Sequence, residues 1–450
     1  MSRVHRLVLP LVFPEGVHPG AGKTLSNRLI LSRDGRARPV LRGTALAGAL
    51  RHAYEKAGGS SSSDHFGERN IGDDGGRPSR LQVADVVLQV GSDNDVIRSH
   101  NGIDRHSGAV RRGSLFDLEA LPPGSSGSAV LIYQDESDSG DSVWKLLSTL
   151  LGYVANGMTL GGKAARGIGR VGLAGDAIYR CFSLTDLTDH AAWLDEQYEW
   201  RGGTIQRSGA TLTPSLGDQD HVLYLELSLS IPRGQDLLVA DGQGMEHELE
   251  PQRVRHADGK EYWRLPGASL RGVVRAWISR LAARDGYTVD DRVGRYVEGL
   301  RGDGDAIAWG FDNTEHDPEQ VPDCPILSLF GSAARKGRLH ISDGLCAALP
   351  EHKQVRKHVA VDRITGGAND GFLFDSAVLC GDVTFPIRIT VHEPSEREVQ
   401  WLTRSLKALD LGLIRLGSSK AVGVVNVRVN SARGPHQEAF SELIGKDVAA

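Results

Sequence analysis

Basic residues set among glycines are the feature of this sequence with the clearest chemical meaning. Residues 161–170, GGKAARGIGR, combine Lys163, Arg166 and Arg170 with a backbone that glycines leave free to approach a ligand closely. The stretch lacks the G-x-x-x-x-G-K-[ST] signature of a P-loop and precedes a predicted strand instead of a helix. It therefore predicts contact with nucleic acid and gives no support to nucleotide hydrolysis.

A second pattern places glycine at the start of a predicted helix. Gly43 lies where a loop becomes a helix, and exposed backbone amides together with the helix dipole favour a phosphate there. Arg51 lies about two turns further along, where it could pair with a second phosphate or with a neighbouring carboxylate. A tight turn with a surface arginine is the simpler interpretation of one copy alone.

These patterns occur twice and in the same order, around residues 41–171 and 265–427. The matching pairs are Gly43 and Gly267, Arg51 and Arg275, Phe66 and Phe330, and Lys163 and Lys420. The second turn, residues 417–423, keeps the lysine but lacks the arginines, so its contact with nucleic acid should be weaker or different. Self-similarity of this kind indicates two copies of one structural unit, and the repetition favours binding over a chance turn.

Polar segments of about twenty residues, 100–119 and 358–376, interrupt the predicted strands of both copies, as functional protrusions do. Each contains an Asp-Arg pair, glycines and Leu-Phe-Asp. Their basic candidates for contact with nucleic acid are Arg105, Arg111 and Arg112 in the first segment and Arg363 in the second. The preceding aspartates, Asp104 and Asp362, could bridge to the next arginine or cap a turn. We expect the Leu-Phe pairs to anchor the protrusions in the core.

Hydrophobic periodicity predicts the elements that must position these segments. In both copies alternating apolar residues predict an opening strand, as in 223–231. An amphipathic helix, two extended stretches, a second amphipathic helix and a closing strand follow. This is the order of ferredoxin-like domains, which also frame RNA-recognition domains. A doubly wound parallel sheet would need more β-α units than the chain offers. We therefore predict an α+β protein of two tandem ferredoxin-like units.

The predicted boundaries divide the 450 residues into four parts, a length that suits two domains with their own cores. The parts are a first unit, 1–173, a connecting segment, 174–219, a second unit, 220–430, and a tail, 431–450. The protrusions fall at about 98–120 and about 356–377. The second unit also contains an insertion at about 283–325.

Composition excludes several classes of protein. The net charge of −5 is unlike that of a stand-alone nucleic-acid-binding domain, so binding would use local basic patches. The four cysteines are scattered without a C-x-x-C pair, which argues against a disulfide framework or a thiolate zinc site. No apolar run is long enough for a membrane span, and the first residues lack the features of a signal peptide. We expect a cytoplasmic protein with no membrane partner.

Together these motifs resemble those of the repeat-associated mysterious protein (RAMP) superfamily, and in particular the backbone subunits of type III CRISPR effector complexes. The motifs are a glycine-led helix with an arginine two turns later, a Phe-Gly pair, an Asp-Arg protrusion and a glycine-rich turn, each present twice. The resemblance covers roughly 1–173 and 220–430. It leaves the connecting segment, the insertion and the tail unexplained.

The resemblance implies a mechanism. Backbone subunits of this kind stack along a CRISPR RNA, grip its phosphates at the helix-start glycine and the glycine-rich turn, and push the protrusion between guide and target as a β-hairpin thumb. The residues implied to grip the guide are Gly43, Thr44, Arg51, Lys163 and Arg166 in the first unit and Gly267, Ser269, Arg275 and Lys420 in the second. The implied partners are CRISPR RNA, target RNA and other type III effector subunits, with no tightly bound cofactor.

Several relatives of this kind also cut target RNA, with a divalent metal and an aspartate between the first strand and the first helix. In the first unit that loop has one carboxylate, Asp34, which forms an Asp-Gly turn signal matched by Asp258 in the second unit. The second loop offers Asp241, beside Gly242 and Gly244, as the candidate catalytic residue. Mg²⁺ or Mn²⁺ is the expected metal, with unidentified ligands. A solvated loop carboxylate is the alternative.

Two other functions share parts of this pattern. A stand-alone endoribonuclease that processes CRISPR repeats can have tandem ferredoxin-like units and a glycine-rich turn, but such enzymes are usually much shorter and lack paired Asp-Arg protrusions. An end subunit that binds RNA ends or partner subunits without cutting is the third possibility.

Overall fold

The computed structural model describes residues 3–25, 28–60, 62–68, 76–91, 96–101, 115–136, 140–201, 210–215, 221–241, 249–289, 324–331, 336–417 and 423–444. Within these residues the chain has a mixed α+β structure with several sheets. None of the described helices is long and apolar enough to cross a membrane. The four cysteines are free thiols.

The described helices fall into two sets, one for each copy of the repeat. They are α1 (Gly43–Lys56), α2 (Ser62–Phe66), α3 (Gly140–Ala155), α4 (Leu187–Arg201), α5 (Gly267–Arg284), α6 (Pro325–Phe330) and α7 (Glu396–Asp410). Short 3-10 helices lie at Ala164–Arg166, Pro350–His352 and Gln437–Phe440.

The strands divide in the same way. Those of the first part are β1 (Arg3–Phe13), β2 (Gly20–Leu25), β3 (Arg28–Leu31), β4 (Val40–Leu41), β5 (Leu81–Val83), β6 (Val86–Gln89), β7 (Val96–His100), β8 (Phe116–Ala120), β9 (Ser125–Asp135), β10 (Gly172–Leu173), β11 (Ala177–Ser183) and β12 (Ala210–Leu212). Those of the second part are β13 (Val222–Ser230), β14 (Asp236–Leu237), β15 (Ala240–Asp241), β16 (Glu250–Pro251), β17 (Arg253–Arg255), β18 (Glu261–Leu265), β19 (Leu339–Ile341), β20 (Gly344–Ala347), β21 (Lys353–Val361), β22 (Ala368–Cys380), β23 (Thr384–His392) and β24 (Asn426–Arg433).

β1 is the central strand of the first sheet. It pairs antiparallel with β9 on one side and with β10 and β11 on the other, and β5 and β6 pair with the far edge of β9. The predicted alternation is confirmed, because Leu7, Leu9, Leu11 and Phe13 are fully buried. They share one core with apolar residues of α1 and α3. This core sets the position of the α1 start.

The predicted connecting segment, 174–219, adds to this sheet. β11 pairs with β1, and β12 pairs with β11. The segment also contains α4, whose Trp193 packs on Phe182 over the other face of β1. The first sheet is therefore covered on both faces.

The second sheet has the order β19, β23, β13, β24, with antiparallel pairing throughout. Leu223, Leu225, Leu227 and Leu229 of β13 are buried in the core formed with α5, α6 and α7, as the alternation predicted. α7 begins at a capping box, in which Ser395 and Glu398 bond each other's backbone amides. The first sheet has the matching order β6, β9, β1, β11.

Antiparallel strand pairs lie at both predicted protrusions. β7 pairs with β8 in the first unit, and the residues between them, 102–114, lie outside the described part. β21 pairs with β22 in the second unit and forms a long hairpin. Of the predicted insertion, 283–325, only 283–289 and 324–325 are described.

Candidate nucleic-acid interface

An aspartate caps the first helix of each unit. The Gly43 amide donates to Asp85 Oδ1 over 2.7 Å, and the Gly267 amide donates to Asp343 Oδ1 over 2.8 Å. Arg42 completes the first site, with Nη1 2.7 Å from Asp85 Oδ2. Partial burial opposes ionisation of Asp85, but the Gly43 amide and Arg42 outweigh it and lower the pKa of this carboxyl. A phosphate at either glycine would have to displace a carboxylate of the chain itself.

Close packing explains why both helices start with glycine. A Cβ at Gly43 would lie 2.0 Å from the Val83 carbonyl oxygen, and one at Gly267 would lie 2.3 Å from the Ile341 carbonyl oxygen. Any larger residue would push the helix away from the strand beside it. The recurring glycine therefore has a packing role in both units, whatever its part in RNA binding.

The helix-start hydroxyl groups differ between the units. Thr44, directly after Gly43, is exposed, whereas Ser269, two residues after Gly267, is half-buried. Only the first of the two presents its side chain fully to solvent.

The paired helix arginines are engaged within their own units. Arg51 Nε donates to Glu55 Oε1 over 2.8 Å, which is the carboxylate pairing that the sequence left open. The Arg275 guanidinium lies 5.8 Å from the centre of the Phe330 ring, and that of Arg271 lies 5.3 Å from it. Burial, with a smaller effect of Arg275, lowers the pKa of Arg271 to about 10. The recurring phenylalanine of the second unit, Phe330, therefore packs against two arginine side chains.

The three basic residues of the first glycine-rich turn have different surroundings. Lys163 is exposed and adopts a left-handed backbone conformation, with φ of 60°. The Arg166 guanidinium lies 5.2 Å from the centre of the Phe116 ring at the base of the first protrusion. Arg170 Nη2 lies 2.6 Å from Oε1 of Glu15, which is buried. Lys163 is therefore open to a ligand, Arg166 borders the protrusion, and Arg170 has a structural partner.

Buried histidines beside this turn had no sequence signal. His18 Nδ1 lies 2.6 Å from the Glu119 carbonyl oxygen. Burial is the largest cause that lowers the pKa of His100 to about 3, followed by nearby cations. Those cations are Arg166, Arg264, Arg98 and Lys163. The imidazole of His100 is therefore neutral at neutral pH and lies in a strongly cationic environment.

A buried ion pair joins the two units. Arg98 of β7 and Asp343 are both fully buried, with 2.5 Å between Nη1 and Oδ2. Arg98 Nη2 also donates to the Glu15 carbonyl oxygen over 2.9 Å, and the Asp343 amide donates to the Gly167 carbonyl oxygen over 2.9 Å. The first glycine-rich turn is therefore bonded to the residue that caps α5. This contact between units, which we call the junction, gathers the turn, the base of the first protrusion and the second helix start.

The turn between β17 and β18 completes the junction. The Ala257 amide donates to the Pro123 carbonyl oxygen over 2.8 Å. The His256 ring lies against Gly124, where an added Cβ would be 2.4 Å from the ring. The Ala257 carbonyl oxygen approaches Gly91 even more closely. Gly91 and Gly124 of the first unit therefore allow the turn at His256 and Ala257 of the second unit to approach closely.

The tip of the β21–β22 hairpin is ordered by an aspartate. Asp362 Oδ1 accepts from the amides of Ile364 and Thr365 over 2.9 and 2.7 Å. The Thr365 amide is the largest of the bonds that lower the pKa of Asp362. The turn-capping interpretation is therefore confirmed for Asp362, and Arg363 and Ile364 are left exposed at the tip.

The Asp-Gly turns are confirmed as turns. Asp34 Oδ1 accepts from the amides of Arg36 and Arg38, each over 2.9 Å. Asp258 Oδ1 accepts from the Lys260 amide over 2.9 Å. Both carboxylates hold their own hairpins.

The side chains of the remaining candidates lie outside the described part of the chain. Asp241 lies in β15 opposite Glu250, but its side chain lies outside the described part. Glu250 is buried, with Lys353 Nζ 3.1 Å from its Oε1. The other candidates outside the described residues are Arg105, Arg111, Arg112 and Lys420. Among the described residues, no group of three or more His, Cys, Asp or Glu could hold a metal ion.

Comparison with known families identifies the class of protein. The model of the RAMP superfamily matches residues 11–172 and 234–424, which together make up most of the chain. The chain therefore belongs to the RAMP superfamily. The two matched regions correspond to the two copies of the repeat. No curated protein matches the sequence. Membership implies a CRISPR-associated role, with RNA binding as part of a CRISPR complex.

Proposed function

We propose that this chain is a double backbone subunit of a type III CRISPR interference complex, which grips guide RNA with two tandem ferredoxin-like units. The observation that carries the proposal is the junction. It joins the exposed, basic turn of the first unit to the helix start of the second through the bond from the Asp343 amide to the Gly167 carbonyl oxygen, beside the buried Arg98–Asp343 pair. A single RNA strand crossing the junction would meet both units at a fixed separation.

The order of strands supports the proposed frame. In the second unit β24, β13, β23 and β19 are neighbours, with α5 between β13 and β19 in sequence and α7 between β23 and β24. This arrangement supports the proposal of a ferredoxin-like sheet. The first unit has the matching order β11, β1, β9, β6, with β12 beyond β11 and β4 beyond β6.

The charges around the first turn support RNA as the ligand. Lys163 is exposed, and with Arg166, Arg98 and Arg264 it lies close enough to His100 to add to the effect of burial, the largest cause that lowers the pKa of His100 to about 3. Such a concentration of cations beside a flexible glycine backbone suits phosphate groups, which single-stranded RNA presents at every nucleotide. Lys420 would make the corresponding contact in the second unit.

The hairpin of β21 and β22 supports the role of a thumb. Its tip presents Arg363 and Ile364 to solvent on a turn that Asp362 holds in one conformation. A rigid, exposed tip of this kind would space guide–target pairing. The first protrusion, with Arg105, Arg111 and Arg112, would act likewise.

The proposal includes cleavage of target RNA in the second unit. Asp241 would assist it in the second unit, with Mg²⁺ or Mn²⁺ supplying charge stabilisation when bound. In the first unit Asp34 holds a turn, so we expect no cut there. The complex would act in the cytoplasm with target RNA and further effector subunits.

The stand-alone repeat-processing endoribonuclease is less well supported. Metal-independent RNA cleavage needs an acid or base whose pKa is near the working pH. Burial lowers the pKa of His18, and the pKa of His100 is about 3. The buried, neutral His100 therefore does not fit this role.

Co-purification tests the proposal. The chain is purified with the products of neighbouring genes, and the bound RNA is sequenced in wild type, in Lys163→Ala and in the control Arg280→Ala, an exposed residue of α5. We expect RNA of fixed repeat-derived sequence that Lys163→Ala reduces and Arg280→Ala retains. Cleavage of free repeat RNA by the isolated chain would overturn the backbone role. If the complex cuts target RNA and Asp241→Ala leaves every cut intact, the catalytic assignment fails and an end or binding role remains.

A further inference from the structure

Helix α4 covers the outer face of the first sheet, opposite α1 and α3, through a single large side chain. Trp193 is 8% exposed and is the only buried residue among the described side chains of α4. Leu187 and Leu194 of the same helix are 86% and 53% exposed. Trp193 packs in a small apolar cluster with Val4, Val8, Val130, Ile132 and Phe182. The described part of α4 therefore depends on one indole for its packing on the sheet.

The ring beneath this indole, Phe182 of β11, is bordered by two arginines. The Arg180 guanidinium lies 4.6 Å from the centre of the ring, and that of Arg6 lies 5.9 Å from it. Arg6 and Arg180 are direct neighbours across β1 and β11. Burial, with a smaller effect of Arg180, lowers the pKa of Arg6 to about 10. An aromatic ring beside guanidinium groups is the combination that binds single-stranded RNA, because bases stack on the ring and phosphates pair with the cations.

The helix that covers this ring has the chemical character of a nucleic acid. Residues 187–201 contain four acidic residues and one arginine. The centres of the Trp193 and Phe182 rings are 5.3 Å apart. An indole has two fused rings, as a purine base has, and an acidic helix has the charge sign of an RNA strand. α4 therefore places an aromatic ring and negative charge over a basic, aromatic surface.

The first turn of α4 is tied to β11 independently of Trp193. Asp186 Oδ1 accepts from the amides of Thr188 and Asp189, each over 2.9 Å, as an N-cap does. The Ser183 amide of β11 donates to Asp189 Oδ2 over 3.1 Å. Displacement of Trp193 from the sheet would therefore leave α4 attached to the first unit at its start.

We propose that the outer face of the first sheet is a further binding site for single-stranded RNA, which α4 occupies as an autoinhibitory mimic until RNA displaces Trp193 from Phe182. In the RNA-bound form a base stacks on Phe182, and Arg6 and Arg180 pair with the flanking phosphates. The site shares no residue with the basic turn at Lys163. It goes beyond the proposed function and does not depend on how the guide RNA is held.

Anisotropy of a labelled single-stranded RNA of about ten nucleotides tests the site on the full chain. Every variant carries Lys163→Ala, which removes the contact proposed at the turn. Trp193→Ala should tighten binding about tenfold or more, because the measured affinity rises with the fraction of chains in which the site is open. Leu194→Ala is the matched control on the exposed side of α4 and should leave the affinity unchanged.

Two further changes distinguish RNA contact from the exposure of an apolar surface. When added to Trp193→Ala, Phe182→Leu removes the stacking ring, and Arg180→Gln removes a phosphate contact while the apolar surface is retained. Each should reverse most of the gain in affinity. Double-stranded RNA of the same sequence should show no gain, because its bases are already stacked. Far-UV circular dichroism verifies that each variant folds.

Hydrogen–deuterium exchange tests the same site in the chain with native Trp193, so the proposal does not depend on the folding of Trp193→Ala. Saturating single-stranded RNA should speed exchange of the α4 amides, because the helix loses its packing on the sheet. The proposal is overturned if folded Trp193→Ala gains no affinity, if the gain survives both Phe182→Leu and Arg180→Gln, or if RNA leaves α4 exchange unchanged or slower. Loss of binding in Lys163→Ala alone bears on the proposed function instead.

Discussion

The two helix starts share one kind of cap, but only the cap of α5 also pairs with an arginine of the other unit. At α1, Asp85 takes Arg42 from its own unit and remains about half exposed. At α5, the fully buried Asp343 pairs through Oδ2 with Arg98 of the other unit over 2.5 Å and with Arg264 of its own unit over 3.5 Å. The same sequence element is therefore a local cap in one copy and a link between units in the other. The difference shows how a duplicated unit can acquire a fixed neighbour while its own fold is unchanged.

Removal of the two aspartates should give the largest contrast. Asp343→Ala leaves Arg98 buried without its carboxylate and should cost about 3–5 kcal/mol. Asp85→Ala removes a cap and an exposed pair and should cost about 1–2 kcal/mol. Urea denaturation followed by circular dichroism measures both. Equal costs would contradict the assignment of Asp343 as the link.

Alanine at the helix-start glycines should cost less. Gly43→Ala and Gly267→Ala each place a Cβ against a carbonyl oxygen and should destabilise the fold by about 1–3 kcal/mol. Gly48→Ala and Gly272→Ala are matched controls within the same helices, where a Cβ meets no described atom within 4 Å. The controls should stabilise the fold by about 0.5–1 kcal/mol. If all four behave alike in thermal denaturation, packing does not explain the glycines.

These two contrasts also show what the sequence could predict. The internal repeat predicted where α1 and α5 begin, and the alternation of apolar residues predicted the central strands β1 and β13. Asp85 and Asp343 recur in the chain too, but each lies in an extended stretch without a motif. The Arg98 contact joins residues far apart in sequence and has no counterpart in the first copy, so no local pattern could reveal it. Arg170 was predicted to contact RNA because its charge can be read from the sequence. Its pairing with Glu15 depends on the fold and cannot be read from the sequence.

The pH dependence of stability should report the cationic environment at the junction. Burial, then the surrounding cations, holds the pKa of His100 at about 3, below the ordinary 6.5. The unfolded chain binds the proton first, so this contribution is complete above about pH 6.5 and falls by up to about 1.4 kcal/mol per pH unit below it. His100→Asn should flatten the profile, and His52→Asn, exposed on α1, should not. Identical profiles for the two variants would argue against a neutral, buried His100.

The smallest expected effect distinguishes a residue that contacts RNA, Lys163, from a residue that stabilises the fold, Arg170, within the first glycine-rich turn. Lys163→Ala should reduce the slope of log affinity against log salt by about 0.7 for single-stranded RNA, with little change in stability. Arg170→Ala leaves Glu15 buried without its partner, so it should lower the free energy of unfolding instead. Filter binding at several salt concentrations, paired with denaturation, distinguishes the two. If Arg170→Ala reduces the salt slope and Lys163→Ala lowers the free energy of unfolding, Arg170 and not Lys163 is the residue that contacts RNA.

The central claim is that both units grip one guide RNA across the junction, and crosslinking within the purified complex tests it most directly. RNA–protein crosslinks are mapped by mass spectrometry on the protein and by sequencing on the RNA. We predict crosslinked peptides at Lys163 and at the turn that contains Lys420, joined to two positions of one repeat-derived RNA at a constant separation. Crosslinks confined to one unit, or to RNAs of unrelated sequence, would contradict the account.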